Sequence, residues 1–156
     1  LELKWKWRYP VYLLLAYGAN YLLDIALSFL TPATSNQIAL NELTEMTGRQ
    51  ELPYLLLIVC LLGPITEELV YRGVLMNTFL KDSPWYGDVL LSACVFGYVH
   101  VSSGLTPLAF FTYASGGAIS ALLYRKTHSL YYPILLNIMI NITAFWDLWV
   151  LLFSGR

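Results

Sequence analysis

Two adjacent carboxylates and a guanidinium, Glu67, Glu68 and Arg72, stand in a stretch that is otherwise apolar enough to cross a bilayer, from Leu52 to about Leu80. A charge at the bilayer centre costs roughly 2.5–3.5 kcal/mol on insertion scales. Three such groups so close together call for partners, a cavity and a use. Glu68 and Arg72 are four residues apart with the acid on the N-terminal side, the favourable order on a helix. An arginine stays charged in any environment and needs such a counterion. Glu67 points about 100° away from Glu68 around the helix and is left to face a cavity. A desolvated carboxylate in that position suits a general base. His100 is the second acid/base group, sharing or orienting an attacking water. Asn137 and Asn141, four residues apart and so on one helix face, add amide N–H donors of the kind that stabilise an oxyanion. Base, second acid/base group and oxyanion donors together point to acyl-transfer hydrolysis.

These residues need apolar helices to carry them. The chain has 156 residues, 58% hydrophobic and 12% charged, where a soluble domain is typically about 25% charged. The expected fold is all-α: a polytopic membrane helix bundle of about five spans. They run from about Pro10 to Leu30, Leu52 to Leu80, Tyr86 to Val101, Leu105 to Tyr124 and Leu130 to Phe153. The third is short for a span. Between the first two, a polar linker from Thr31 leads into an acidic segment that is expected to form a short surface helix before Glu51. Pro107 suits the first turn of the fourth helix. The chain reads as one transmembrane domain over 1–156, with a motif-bearing core at 52–145. It begins with Leu, and further spans upstream are an open expectation.

The second and third spans form an antiparallel hairpin whose turn is centred near position 83 or 84. Glu67 and His100 are nearly equidistant from it, each about 25 Å along its helix at a rise of 1.5 Å per residue. Straight antiparallel helices would set them level. Asn137 and Asn141 lie at a somewhat shallower depth on the fifth span.

Lys4, Lys6, Arg8, Lys81, Arg125 and Lys126 fall on one side of a five-span arrangement, and Arg49 and Arg156 on the other. The first side is therefore expected to be cytoplasmic, with Trp5, Trp7, Trp85 and Tyr86 at the inner interface. Net charge is −1 with no basic cluster, which argues against a nucleic-acid partner. Cys60 and Cys94 are isolated in apolar runs and read as buried free thiols. Glu67 and His100 could ligate a metal, but there is no third histidine and no HExxH pair, so neither metal nor cofactor is expected. Small residues from Ala114 to Ala121 favour close helix packing over a catalytic role for Ser115 or Ser120. Asn20 and Asp24, one turn apart on the first span, are read as helix-binding residues in preference to a cap on the cavity. His128 is read as a loop residue, and Asp147 as reaching the outer interface.

Glu67-Glu68-x-x-x-Arg72, then Phe96-x-x-x-His100, then a motif ending in Asn141, resemble the three motifs of the CAAX-protease and bacteriocin-processing family of intramembrane endopeptidases. Gly63-Pro-Ile-Thr-Glu-Glu-Leu-Val-Tyr-Arg-Gly-Val-Leu resembles that family's first motif, and Ser129-Leu-Tyr-Tyr-Pro-Ile-Leu-Leu the lead-in to its last. The resemblance covers about 52 to 145. It implies a glutamate-type peptide hydrolase in which Glu67 and His100 activate water and Asn141 contributes the oxyanion hole. A membrane-associated peptide or protein is the expected substrate, and a bacterial cytoplasmic membrane the expected location. The family's third motif is usually His-x-x-x-Asn, and its histidine is Asn137 here. An amide can donate a hydrogen bond there but cannot shuttle a proton. The alternative is a catalytically inactive membrane regulator or bacteriocin-immunity protein on the same scaffold, with the polar cluster as a binding pocket. An ion or proton pathway is disfavoured, because the fourth span lacks charged residues.

Overall fold

The computed structural model of the protein describes residues 6–30, 35–102, 104 and 106–154, with the backbone alone at 35–37 and 39. Lys4, Trp5, Arg156, most of the Thr31 linker and the expected start of the fourth span at Leu105 lie outside the described residues. Among the described residues seven helices follow in order: α1 (Tyr9–Ser28), α2 (Ser35–Met46), α3 (Leu52–Thr78), α4 (Gly87–Val101), α5 (Pro107–Thr127), α6 (Tyr131–Ala144) and α7 (Trp146–Phe153). Those residues form no strand. The architecture is that of a polytopic helical membrane protein.

α1 and α3 are long and apolar enough to cross a membrane, and α6 with α7 would be a third such span if counted together. α4, at 15 residues, is short, as its sequence suggests. α5 has the length but is less apolar because it lies inside the bundle. Ala109, Ala114, Gly117, Ser120, Ala121, Leu123 and Thr127 bury successive turns of it against protein. Its start combines Pro107 in the first turn with the Thr106 hydroxyl, which accepts the Ala109 N–H at 3.2 Å.

The pattern of burial is inverted relative to a soluble bundle. Leu14, Leu15, Leu22, Ile58, Val74, Leu90 and Phe111 point outward, while Arg72 and Glu68 are 0% and 1% exposed. Outward apolar side chains meet hydrocarbon, and inward polar ones satisfy each other. Tyr9 of α1, Leu123 of α5, and Tyr132 and Leu136 of α6 join three helices in one apolar cluster. α4 and α5 approach so closely that a Cβ on Gly97 would sit 2.9 Å from both the Ala114 Cβ and its backbone nitrogen. Ala114, and Gly117 where a Cβ would stand 3.1 Å from Phe96, therefore act in packing.

Three features depart from the sequence reading. The final span is not continuous: it bends by 68° between α6 and α7. Phe145 leaves helical geometry there, at φ −103° and ψ 25°. The bend lays Leu148, Trp149 and Leu152 of α7 against Leu52, Leu55, Leu56 and Cys60 at the start of α3, so burial of that apolar face accounts for it. Cys94 is exposed, facing outward from α4; of the two cysteines expected to be buried, Cys60 alone is. Finally, α3 is not uniformly α-helical. It widens to π geometry at Ile58–Leu62 and Leu69–Leu75, on either side of Gly63–Glu68. Pro64 explains the first: it has no N–H and its ring crowds the carbonyl four residues back. The Gly63 N–H instead reaches Ile58 O, five residues back.

The α3–α4 turn is held by Arg125. Its guanidinium bonds Asp88, donates to Ser83 O at 2.8 Å and lies over the Tyr86 ring at 4.2 Å. This clamp ties α4 to α5 at the end remote from His100.

Candidate active site

The six-residue α-helical interval between the two π stretches carries Glu67 and Glu68. Widened turns of this kind recur at functional sites because they re-aim side chains and free backbone groups. Glu68 is directed into protein. One of its oxygens accepts from Arg72 Nη1 at 3.0 Å and Asn137 Nδ2 at 3.0 Å, and the other from Ser120 Oγ at 3.1 Å. Arg72 places its other terminal nitrogen 2.6 Å from Gly117 O on α5. It also lies 5.2 Å from the centre of the Phe96 ring. A wholly buried guanidinium is held by its carboxylate, a backbone carbonyl and an aromatic face. Its Nε has no hydrogen-bond partner among the described residues.

Glu67 is directed the other way, with its side chain 33% exposed into a cavity of about 590 Å³. His100, near the C-terminal end of α4, brings Nε2 to 3.7 Å from Glu67 Oε1. Its Nδ1 lies 2.9 Å from Phe96 O, one turn back. A carbonyl can only accept, so Nδ1 carries the proton and Nε2 of the neutral ring is an acceptor. Phe96 and Tyr113 sandwich the imidazole, with ring centres 4.2 and 4.8 Å away. The ring is thus fixed in both plane and tautomer.

Asn137 and Asn141 sit on one face of α6, as their spacing predicts. Asn137 Nδ2 donates to Glu67 Oε2 and Glu68 Oε1, each at 3.0 Å. It therefore bridges the two carboxylates, and both of its amide hydrogens are engaged. Asn141 Nδ2 donates to Asn137 O at 2.9 Å and Asn137 Oδ1 at 2.8 Å. That second bond orients the Asn137 amide with its nitrogen toward the glutamates.

The structure thus brings all six singled-out residues, Glu67, Glu68, Arg72, His100, Asn137 and Asn141, to one cavity. Asn20 and Asp24 of α1 also line it, on the cavity wall where helix binding was the preferred reading. Ser120, Tyr113 and the Gly117 carbonyl were not singled out for the site. They carry no charge and lie in a small-residue helix, so their part depends on where α5 crosses α3. Ser115 bonds Thr112 O within its own helix. His128 caps α5 with a left-handed backbone, φ 48°, and Asp147 lies in the first turn of α7. Among the described residues, no three His, Cys, Asp or Glu side chains are grouped as a metal site would need. Glu67 and His100 are two potential ligands at most.

A 92-residue stretch is 28% identical to a Bacillus subtilis (strain 168) protein named "Putative membrane peptidase YdiL", covering 59% of this chain and 36% of that protein. The chain thus spans about a third of the length of this relative. No solved structure matches it. The family model described as "Type II CAAX prenyl endopeptidase Rce1-like" matches residues 49–143, more than half of the chain and a range holding all six cavity residues. A chain with that match, built of apolar helices around buried charge, is an integral membrane protein and belongs to the Rce1-like CAAX prenyl endopeptidase family.

Proposed function

We propose that the protein is an intramembrane endopeptidase in which Glu67 and His100 activate a water for attack on a peptide bond. The observation that carries this reading is the Glu67–His100 pair. Two acceptors, Nε2 and Oε1, face each other at 3.7 Å across the cavity wall, too far for a direct hydrogen bond. A water donating one proton to each would be held with a lone pair pointing into the cavity. Glu67 takes one proton as the oxygen attacks the carbonyl carbon. The carbonyl oxygen becomes an oxyanion, and Asn141 supplies an N–H to it by releasing one of its bonds to Asn137. Glu67 then returns the proton to the leaving nitrogen as the C–N bond breaks, which yields a new carboxylic acid and a new amine, and the acid passes its remaining proton to the amine to leave a carboxylate and an ammonium. Glu68 and Arg72 hold α3, α5 and α6 together behind the pair, and Asn137 positions Glu67. No step requires Asn137 to shuttle a proton, which is consistent with an amide at a position where the family usually has histidine.

The same reading takes 1–156 as one transmembrane domain with its hydrolytic core at 52–145. The substrate is a membrane-associated peptide or protein. The N-terminus lies on the cytoplasmic side of a bacterial cytoplasmic membrane, by the distribution of lysine and arginine. The second reading, a binding or immunity protein, draws on one observation. The side-chain amide hydrogens of Asn137 and Asn141 are already donated within the cluster. The two readings separate when full-length protein in nanodiscs is incubated with a hydrophobic peptide library and the products are sequenced by mass spectrometry. New termini that disappear with Glu67→Gln support the peptidase. Peptides that are retained but uncut by the unmodified protein favour the binder.

A further inference from the structure

The groups proposed for hydrolysis come from α3, α4 and α6. Another part of the cavity wall, on α1, is also polar and takes no part in that chemistry. Asn20, Asp24 and Ser28 line it at successive turns of the helix. Polar side chains on a spanning helix are costly unless a partner or ligand meets them. Ser28 bonds Ile25 O in its own helix. Asn20 is 5% exposed, and its amide has no hydrogen-bond partner among the described residues. It lines the cavity, so its amide leaves a donor and an acceptor open to a bound molecule. Its Oδ1 lies 3.5 Å from where a Cβ on Gly116 would stand. Gly116 adjoins Gly117, whose carbonyl holds Arg72, so Asn20 is at the depth of the glutamates.

Asp24 is one turn further along, about 6 Å by helix rise. It forms no ion pair among the described residues. The cavity lining holds three carboxylates, Asp24, Glu67 and Glu68, against one guanidinium. That guanidinium is committed to Glu68 at 3.0 Å. Asp24 is exposed on the cavity wall and no cation is committed to it among the described residues, so a cation entering the cavity meets an open carboxylate.

We propose that α1 is the substrate-recognition wall of the site, with Asn20 hydrogen-bonding the backbone of the bound peptide and Asp24 selecting a Lys or Arg side chain within about two residues of the scissile bond. The assignment rests on the peptidase reading, and its test separates the two. The probe is a set of Ala/Leu/Ser decapeptides, each carrying one Lys, Gln or Glu at a scanned position. Retention is measured on full-length protein in nanodiscs with Glu67→Gln in place to prevent turnover. Lys peptides are expected to be enriched about 10-fold over Gln peptides at one position. Asp24→Asn abolishes the enrichment, and Asp24→Lys transfers it to the Glu peptides. Asn20→Ala weakens all three sets alike. Enrichment that is absent, or that survives Asp24→Asn, overturns the proposal. The enriched peptide is then offered to protein with Glu67 intact. Uncut peptide that still depends on Asp24 sinks the peptidase reading and leaves the recognition wall standing. Cleavage with no preference for Lys does the reverse.

Discussion

At Arg72 the guanidinium is fully buried, and its charge is matched by Glu68 at 3.0 Å. Removing one member of such a pair leaves an uncompensated buried charge, which costs about 3–5 kcal/mol. Arg72→Met is therefore expected to lower the thermal unfolding midpoint in detergent sharply, and Glu68→Leu on top of it to restore part of the loss. A double variant no more stable than the single one would show that the pair does not act as a unit. At His100 the expected outcome is different. His100→Gln keeps a polar side chain between Phe96 and Tyr113 but loses the fixed acceptor, so peptide turnover should fall about 10²–10⁴-fold with little change in unfolding. The meeting of Glu68 and Arg72 is legible in sequence because it is local to one helix. That of Glu67 and His100 is legible because both are equidistant from one turn. The Asn137 bridge between the glutamates is not, since both asparagines could equally have faced the substrate. Ser120 and the Gly117 carbonyl give no signal at all, because nothing in their own types marks them as partners of a buried ion pair.

At the level of elements, the site depends on how close α4 and α5 lie and on how α3 is wound. A methyl group on Gly97 would meet the Ala114 backbone nitrogen at 2.9 Å and Phe110 O at 3.0 Å. Neither is a flexible side-chain end, so Gly97→Ala should force the helices apart at a cost of about 1–3 kcal/mol. It should also displace His100, one turn away on α4. Thermal unfolding and peptide turnover should fall together, and a variant with unchanged turnover would show that the spacing does not matter to the site. Pro64→Ala restores an N–H to α3 and permits a regular α-helical turn where Ile58–Leu62 is now π-helical. Turnover should fall at least about 10-fold while stability holds or rises, because Glu67 is re-aimed relative to His100. The order of the apolar helices follows from apolar run lengths, with α6 and α7 read as one, and Pro64 marks where α3 must deviate. The bend at Phe145 carries no Pro or Gly to announce it. It arises from burial of α7 against the start of α3, a long-range preference that a local pattern cannot express.

Over the whole molecule, polar side chains face inward and apolar ones outward, and charge near the helix ends sets the expected orientation. Lys81 and Lys126 lie toward one side and Arg49 toward the other, where its guanidinium reaches Leu151 O at 3.4 Å. A cysteine placed at Ser83 should be shielded from an impermeant maleimide added outside cells, and one at Gly48 should be labelled, with Cys94 first replaced by Ser. The reverse result would invert the topology. Composition makes the membrane environment legible, and the three motifs make the family legible. The substrate is not, because selection depends on cavity walls such as α1 whose partner is another molecule. The most direct test of the account is a comparison of new peptide termini in membranes containing the unmodified protein or the Glu67→Gln variant at equal abundance. The account predicts termini that are present with Glu67 intact and vanish in the variant membranes. Identical termini, with both proteins folded, would contradict hydrolysis by Glu67-activated water.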